Sequence, residues 1–293
     1  MHRTVDKGPD QPDGFSRRTF VVGAAGLAAV AAVGPGAGFA AAAAATDIDI
    51  CAGVAVVGAD PQVLCRQGVR WVLVGADGAA KATTGLDFAT VVDVATDQRG
   101  ALAAGSLDGQ AALWRSPDGV TWHEVLRLSA RSMFTAVGSS ASDAMALGSY
   151  LSGENVPTAP LAARRRGDTW AVQPVTGLDA YQAVTALSVG RSGWLASAAG
   201  STGTVVHSSA NGTDWSELAR LDDAALQGLL DDGGEVRWVG NAYGGSAALV
   251  GTIGGGRGPA PVSELAHAVG LVRTARGRVS YWLVDGELKA VAV

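Results

Sequence analysis

Lysine is almost missing from this chain: Lys7, Lys81 and Lys289 are the only three in 293 residues. With 22 Lys plus Arg against 27 Asp plus Glu, the formal charge is −5, and there is no general cationic field to hold a polyanion. Nucleic acid is therefore not an expected partner. Aromatic residues are scarce at 6%, with four histidines and two cysteines. Past residue 45 only His123, His207 and His267 remain, without any Cys/His spacing, so no zinc or other metal is expected. A Gly-x-Ser-x-Gly elbow, a phosphate loop and a dinucleotide fingerprint are also missing. Gly254-Gly255-Gly256-Arg257-Gly258 has no helical pattern after it and reads as a flexible hairpin loop, so no cofactor is expected. What is present is 48% hydrophobic residue against 17% charged, a globular balance, with 41 glycines, about twice the usual share.

One long apolar run occurs, at the N-terminus. Ser16-Arg17-Arg18-Thr19-Phe20 is followed by an uncharged stretch, Val21 to Ala45, dominated by small residues and interrupted by Gly34-Pro35-Gly36. This resembles a twin-arginine signal peptide, with Arg17 and Arg18 as the pair read by the translocase. The resemblance implies removal of residues 1–45, export, and a secreted or cell-envelope location. A retained transmembrane anchor is the competing reading, because about 25 uncharged residues can span a bilayer. The Gly-Pro-Gly break and the small side chains count against a stable anchor. Cleavage near Ala45 leaves 293 − 45 = 248 residues, 46–293, as one domain. In an oxidising compartment Cys51 and Cys65, 14 residues apart, can bridge neighbouring strands; two buried free thiols are the alternative.

The rest of the chain repeats. Val91–Leu128 and Val184–Leu221 match in pattern almost without gaps, and residues 134–175 follow the same plan with a longer middle loop. Their closing tryptophans, Trp122, Trp170 and Trp215, lie 48 and 45 residues apart, with Trp71 a weaker member 51 residues before the first. Each unit is a succession of short apolar runs divided by Gly, Asp, Asn and Ser, with no helical period. In the clearest unit the strands are expected near 90–96, 101–106, 111–116 and 121–126. Four-stranded antiparallel units of this length, repeated radially, make a β-propeller, whose ring protects the sheet edges. At 248/6 ≈ 41 residues per unit the chain fits six blades best; five or seven remain compatible. The last unit, 268–293, supplies three strands, which suggests ring closure by an N-terminal strand such as Thr46–Ile50.

Each clear unit carries a turn before its Trp: Ser116-Pro117-Asp118-Gly119-Val120-Thr121-Trp122, Arg166-Gly167-Asp168-Thr169-Trp170, and Ser209-Ala210-Asn211-Gly212-Thr213-Asp214-Trp215. The Asp or Asn oxygen is expected to accept backbone N–H bonds while Gly takes the positive-φ position and Trp is buried between blades. These turns resemble the Asp-box, or bacterial neuraminidase repeat, of sialidase-like propellers. In that family the motif is a structural turn remote from the active site, so the resemblance implies the fold and not the chemistry. The Arg166-Gly167-Asp168 tripeptide sits inside a repeated turn and reads as structure. The run Arg164-Arg165-Arg166 reads as solvated strand-edge charge.

A sialidase pairs its substrate's carboxylate with converging arginines and uses a Tyr nucleophile supported by Glu. Tyr150, Tyr181, Tyr243 and Tyr281 exist, but the family's early Arg-Ile-Pro segment does not. The expected function is thus a non-catalytic binding or scaffold module for an unknown carbohydrate or protein ligand, with a sialidase-like glycoside hydrolase as the alternative. The ligand is expected at the loops of variable length. Candidates are Tyr150, Glu154 and Asn155 in the long 149–160 loop, and Asn241 and Tyr243 in the 241–245 loop.

Overall fold

A computed structural model describes residues 48–57, 60–75, 78–179, 183–191, 193–200, 202–231, 234–243, 245, 247–254, 260–263, 267–274, 277–284 and 287–292. Arg17 and Arg18, with the whole 1–45 segment, lie outside the described residues. Among the described residues all regular structure is strand, and no helix is long and apolar enough to cross a membrane.

The first sheet runs in chain order: β1 (Ile50–Val57), β2 (Asp60–Gln67), β3 (Arg70–Val74) and β4 (Ala80–Ala82). Then β5 (Thr90–Asp97), β6 (Gly100–Leu107), β7 (Gln110–Ser116), β8 (His123–Ser139), β9 (Ala144–Leu151), β10 (Pro157–Arg166) and β11 (Thr169–Gln173) form one seven-stranded sheet. It is continuous because β8, at 17 residues, pairs with β7 through its first part and with β9 from Ser132 onward. A four-stranded sheet follows: β12 (Val184–Gly190), β13 (Gly193–Ala199), β14 (Gly203–Ser209) and β15 (Ser216–Asp222). The next comprises β16 (Ala224–Asp231), β17 (Val236–Ala242), β18 (Ala248–Ile253) and β19 (Ala260–Ser263), and the last β20 (His267–Thr274), β21 (Gly277–Val284) and β22 (Glu287–Ala292). Among the described residues, all pairings between these strands are antiparallel and join strands adjacent in sequence. A count of six units takes the seven-stranded sheet as two that share β8.

The strands read as unbroken apolar runs because both sheet faces are covered. Ala101, Leu102, Ala103 and Ala104 of β6 are all buried: the odd-numbered pair packs toward Trp71, Trp114 and Trp122, the even-numbered pair toward Phe134 and Leu161. Alanine suits this position because its small side chain lets sheets approach closely. The β6–β7 hairpin turns on Asp108 (φ 53°) and Gly109 (φ 75°), the double positive-φ geometry favoured in two-residue hairpins.

Hydrophobic clusters join each sheet to the next, and one returns to the start: Val54, Val63, Cys65 and Val74 pack with Val279 and Tyr281 of β21. The ring is thus closed by face packing. Of the expected closing strand Thr46–Ile50, Thr46 and Asp47 lie outside the described residues, while Asp49 donates its N–H to the Arg66 carbonyl at 2.9 Å and Ile50 pairs with Arg66, so the described part belongs to the first sheet and not the last. The fourth strand of that sheet is β4, which the sequence pattern had not suggested. Trp71, read as the end of a unit, instead stands on the third strand, β3. Cys51 and Cys65 are bonded, with Cα atoms 4.0 Å apart at directly paired positions of β1 and β2. Closing a loop of this size is worth ~3 kcal/mol through the unfolded chain.

The innermost strand of every unit carries a bulge, and the residue just past it abuts the next unit. A Cβ on Gly53 would sit 2.9 Å from the Val94 nitrogen, and one on Gly228 2.9 Å from the Leu271 nitrogen. Asp93 occupies the equivalent place in β5. Its carboxyl accepts the Val94 N–H at 2.8 Å and reaches across to the Val137 N–H at 2.7 Å, tying β5 to β8. Burial outweighs these two bonds and pushes its pKa up to about 7. The folded chain therefore keeps this proton across pH ~4–7, where the unfolded chain has lost it, and stability falls as pH rises through that window. Asp93→Asn should remove this slope from melting temperatures measured between pH 4 and 7. It should also lower stability at pH 4, since its NH₂ faces one of the two N–H donors.

Candidate functional site

Two of the three repeated turns have the expected geometry. The Asp118 carboxylate accepts the N–H groups of Val120 (2.9 Å) and Thr121 (2.8 Å) and the Ser116 hydroxyl (2.8 Å), and these bonds hold its pKa down at about 2. The Asn211 side-chain oxygen repeats the pattern with Thr213 (2.8 Å), Asp214 (2.9 Å) and Ser209 (3.1 Å). Gly119 (φ 74°) and Gly212 (φ 76°) take the left-handed position and face Leu73 and Met145 of the preceding unit. Trp122 and Trp215 are buried, and Trp122 Nε1 donates to the Gly119 carbonyl at 2.9 Å.

The third turn departs from expectation. Asp168 is 86% exposed, with its carboxylate engaged by Arg99 rather than by local N–H groups. Trp170 is half-buried on β11, and Thr169 closes the hairpin by donating its hydroxyl to the Arg166 carbonyl at 3.1 Å. Gly167 (φ 64°) alone keeps its role. The reason is a missing partner strand. The other two turns each receive a connector: Thr84 exchanges bonds with Val120 and Trp122, and Thr176 with Thr213 and Trp215, all at 2.9–3.0 Å. Both connectors read Thr-Gly-Leu-Asp, at 84–87 and 176–179, a repeat that the sequence reading missed. Its glycines, Gly85 (φ 83°) and Gly177 (φ 78°), press on the Trp carbonyl so closely that an added Cβ would lie 2.0 Å from it. Among the described residues no such connector reaches the 166–170 turn, where β8 itself passes from one unit to the next.

The Arg164–Arg166 run is not uniformly solvated. Arg164 is bonded to both Asp143 carboxylate oxygens and donates to the Asn211 carbonyl at 2.7 Å, pinning the following unit's turn. Arg165 is buried and paired with Asp97, whose side chain is inaccessible and also receives Arg115 at 3.1 Å. Only Arg166 is exposed. These arginines are spent on internal carboxylates instead of converging on open space. Tyr281 is buried, and burial raises its pKa to about 12; Tyr181 lies outside the described residues.

The residues expected to contact a ligand have internal duties. Tyr150 packs in part against the Leu102–Phe134–Leu161 cluster. The side-chain oxygen of Asn155 (φ 63°) accepts two bonds from Arg131, at 2.6 and 3.1 Å. Asn241 accepts the Ala268 N–H at 3.0 Å, and the Tyr243 hydroxyl donates to the Gly200 carbonyl at 3.1 Å. Glu154 is exposed. None of these bonds joins the 149–160 group to the 241–245 group.

A surface depression lies elsewhere. The β2–β3 hairpin and the connector after β4 border a solvent-open cavity of about 250 Å³, lined by Val69, Arg70, Trp71, Thr83, Leu86 and Asp87 among others. Val69 in its lining is 85% exposed, and Phe88, next in chain to Asp87, is 95% exposed with φ 61°, an unfavourable backbone for a bulky side chain. An isolated Val at a hairpin tip and a Phe after Thr-Gly-Leu-Asp carried no readable signal in the sequence.

No protein-family profile matches the chain, and no curated protein matches it in sequence. Solved structures match its fold. A protein described provisionally as a gluconolactonase aligns over 85% of this chain and 90% of its own, at 16% identity and TM-score 0.62. The PQQ-bound aldose sugar dehydrogenase from Streptomyces coelicolor aligns over 84% and 96%, at 14% and 0.55. The fucose-specific lectin from Aleuria aurantia aligns over 85% and 97%, at 11% and 0.53. The chain is a β-propeller.

Proposed function

We propose that the chain is an exported, non-catalytic β-propeller that binds a carbohydrate or protein ligand outside the cytoplasmic membrane. The observation that carries this reading is the commitment of Arg115, Arg164 and Arg165 to Asp97 and Asp143, which uses the interior's ionic groups for cohesion. Exposed, poorly supported groups are instead found at Val69 and Phe88, where a ligand and not a reaction benefits. The fold itself does not choose, since the matching structures include a lectin and enzymes. The twin-arginine resemblance supports export, and the repeated turns support kinship with Asp-box propellers.

The test is a screen of the immobilised exported protein against glycan and peptide arrays, run beside hydrolysis assays on a fluorogenic sialoside and on gluconolactone. Saturable binding without turnover is expected. Turnover proportional to protein concentration would replace this reading with the glycoside hydrolase alternative or another hydrolase.

A further inference from the structure

We propose that the cavity between the β2–β3 hairpin and the 83–89 connector binds a single uncharged sugar ring, with Arg70 and Asp87 as its hydrogen-bonding groups. This rests on the binding-module reading and names its ligand class. Size sets the first limit. At about 250 Å³ the space falls below the ~300–1,000 Å³ of sites for drug-sized ligands, which leaves room for one ring.

Charge sets the second. Arg70 and Asp87 are exposed, and among the described residues neither side chain has a hydrogen-bond or ion-pair partner. Elsewhere Arg99, Arg115, Arg127, Arg164, Arg165 and Arg220 are all paired with carboxylates. One guanidinium and one carboxylate at the same cavity give no net charge, which disfavours a phosphorylated or carboxylated ligand. A fork of donors beside an acceptor-only carboxylate does suit neighbouring hydroxyls, each of which donates and accepts.

The apolar side of a pyranose needs a flat partner, and one exposed aromatic is at hand. Trp71, 5% exposed and packed in the core, gives the site a fixed floor and no stacking face: its Nε1 donates to the Ala89 carbonyl at 3.1 Å, and the Thr83 hydroxyl donates to the Trp71 carbonyl at 2.9 Å. Phe88, next in chain to Asp87, is 95% exposed and conformationally strained at φ 61°. Strain in an exposed aromatic gains nothing for the fold, and such outliers gather at binding sites.

The experiment is saturation-transfer NMR on the exported protein with the methyl glycosides of glucose, galactose, mannose, fucose and N-acetylglucosamine. Transfer to at least one glycoside is expected, with affinity reduced at least tenfold by Arg70→Met and by Asp87→Asn at unchanged melting temperature. Phe88→Gly should weaken binding and raise the melting temperature, because glycine adopts this φ without cost. Transfer that survives both polar substitutions overturns the assignment of the site. Absence of transfer from all five glycosides overturns the ligand class, and a peptide hit on the arrays would then leave the binding-module reading standing. Turnover in the hydrolysis assays would instead remove that reading itself.

Discussion

Asp97→Ala is expected to cost about 3–5 kcal/mol, read as a lower urea midpoint, because it strands a buried cation. The Asp97 side chain is fully inaccessible and Arg165 is 4% exposed. Arg115, at 19% exposure, shares the same carboxylate, which also accepts the Arg99 backbone N–H at 2.7 Å. Burial already disfavours the Arg115 charge, and Asp97 is the main group that offsets it. Removing the acid leaves two guanidinium groups facing each other across the second and third units. Replacing Arg165 as well, in Asp97→Ala/Arg165→Met, should recover part of the loss, since apolar substitution of a buried pair is often nearly neutral. An Asp97→Ala variant as stable as wild type would mean that water reaches the pair and that the cluster does not hold the units together.

This cluster marks the boundary of what the sequence could convey. The fold was legible because its signals are local: short apolar runs without helical period, Asp-Gly and Asn-Gly turns, and a Trp recurring every 45–48 residues between 122 and 215. Two of the turns could be read down to their bonds for the same reason. The Arg164–Arg166 run was misread because its partners are distant. Asp97 lies 68 residues from Arg165, and Asp143 lies 21 from Arg164, so only the folded ring brings them together. Ring closure failed similarly, since packing of β21 on the first sheet has no sequence mark. The expected ligand residues were chosen by loop length, but Asn155 and Asn241 turn out to hold backbone and Arg131 in place. The cavity at Trp71 was invisible, as Arg70 and Asp87 are ordinary surface residues until the β2–β3 hairpin and the connector meet.

The tryptophans should separate in the same way. Trp122→Ala and Trp215→Ala are each expected to cost about 3–5 kcal/mol, the usual price of an unfilled cavity at a buried Trp. Trp122 should be the costlier, because its loss also removes the bond to the Gly119 carbonyl, whereas Trp215 Nε1 has no partner among the described residues. Each also seals a connector: the Trp122 and Trp215 N–H groups donate to Thr84 and Thr176, so a cavity there loosens the joint between successive sheets. Trp170→Ala should cost roughly half as much, since its ring is only half-buried on β11 and no connector docks against it. Chemical denaturation of the three single variants measures the order directly. Equal losses at all three positions would mean that the 166–170 turn fastens its unit as the other two do, and that its divergence from them is superficial.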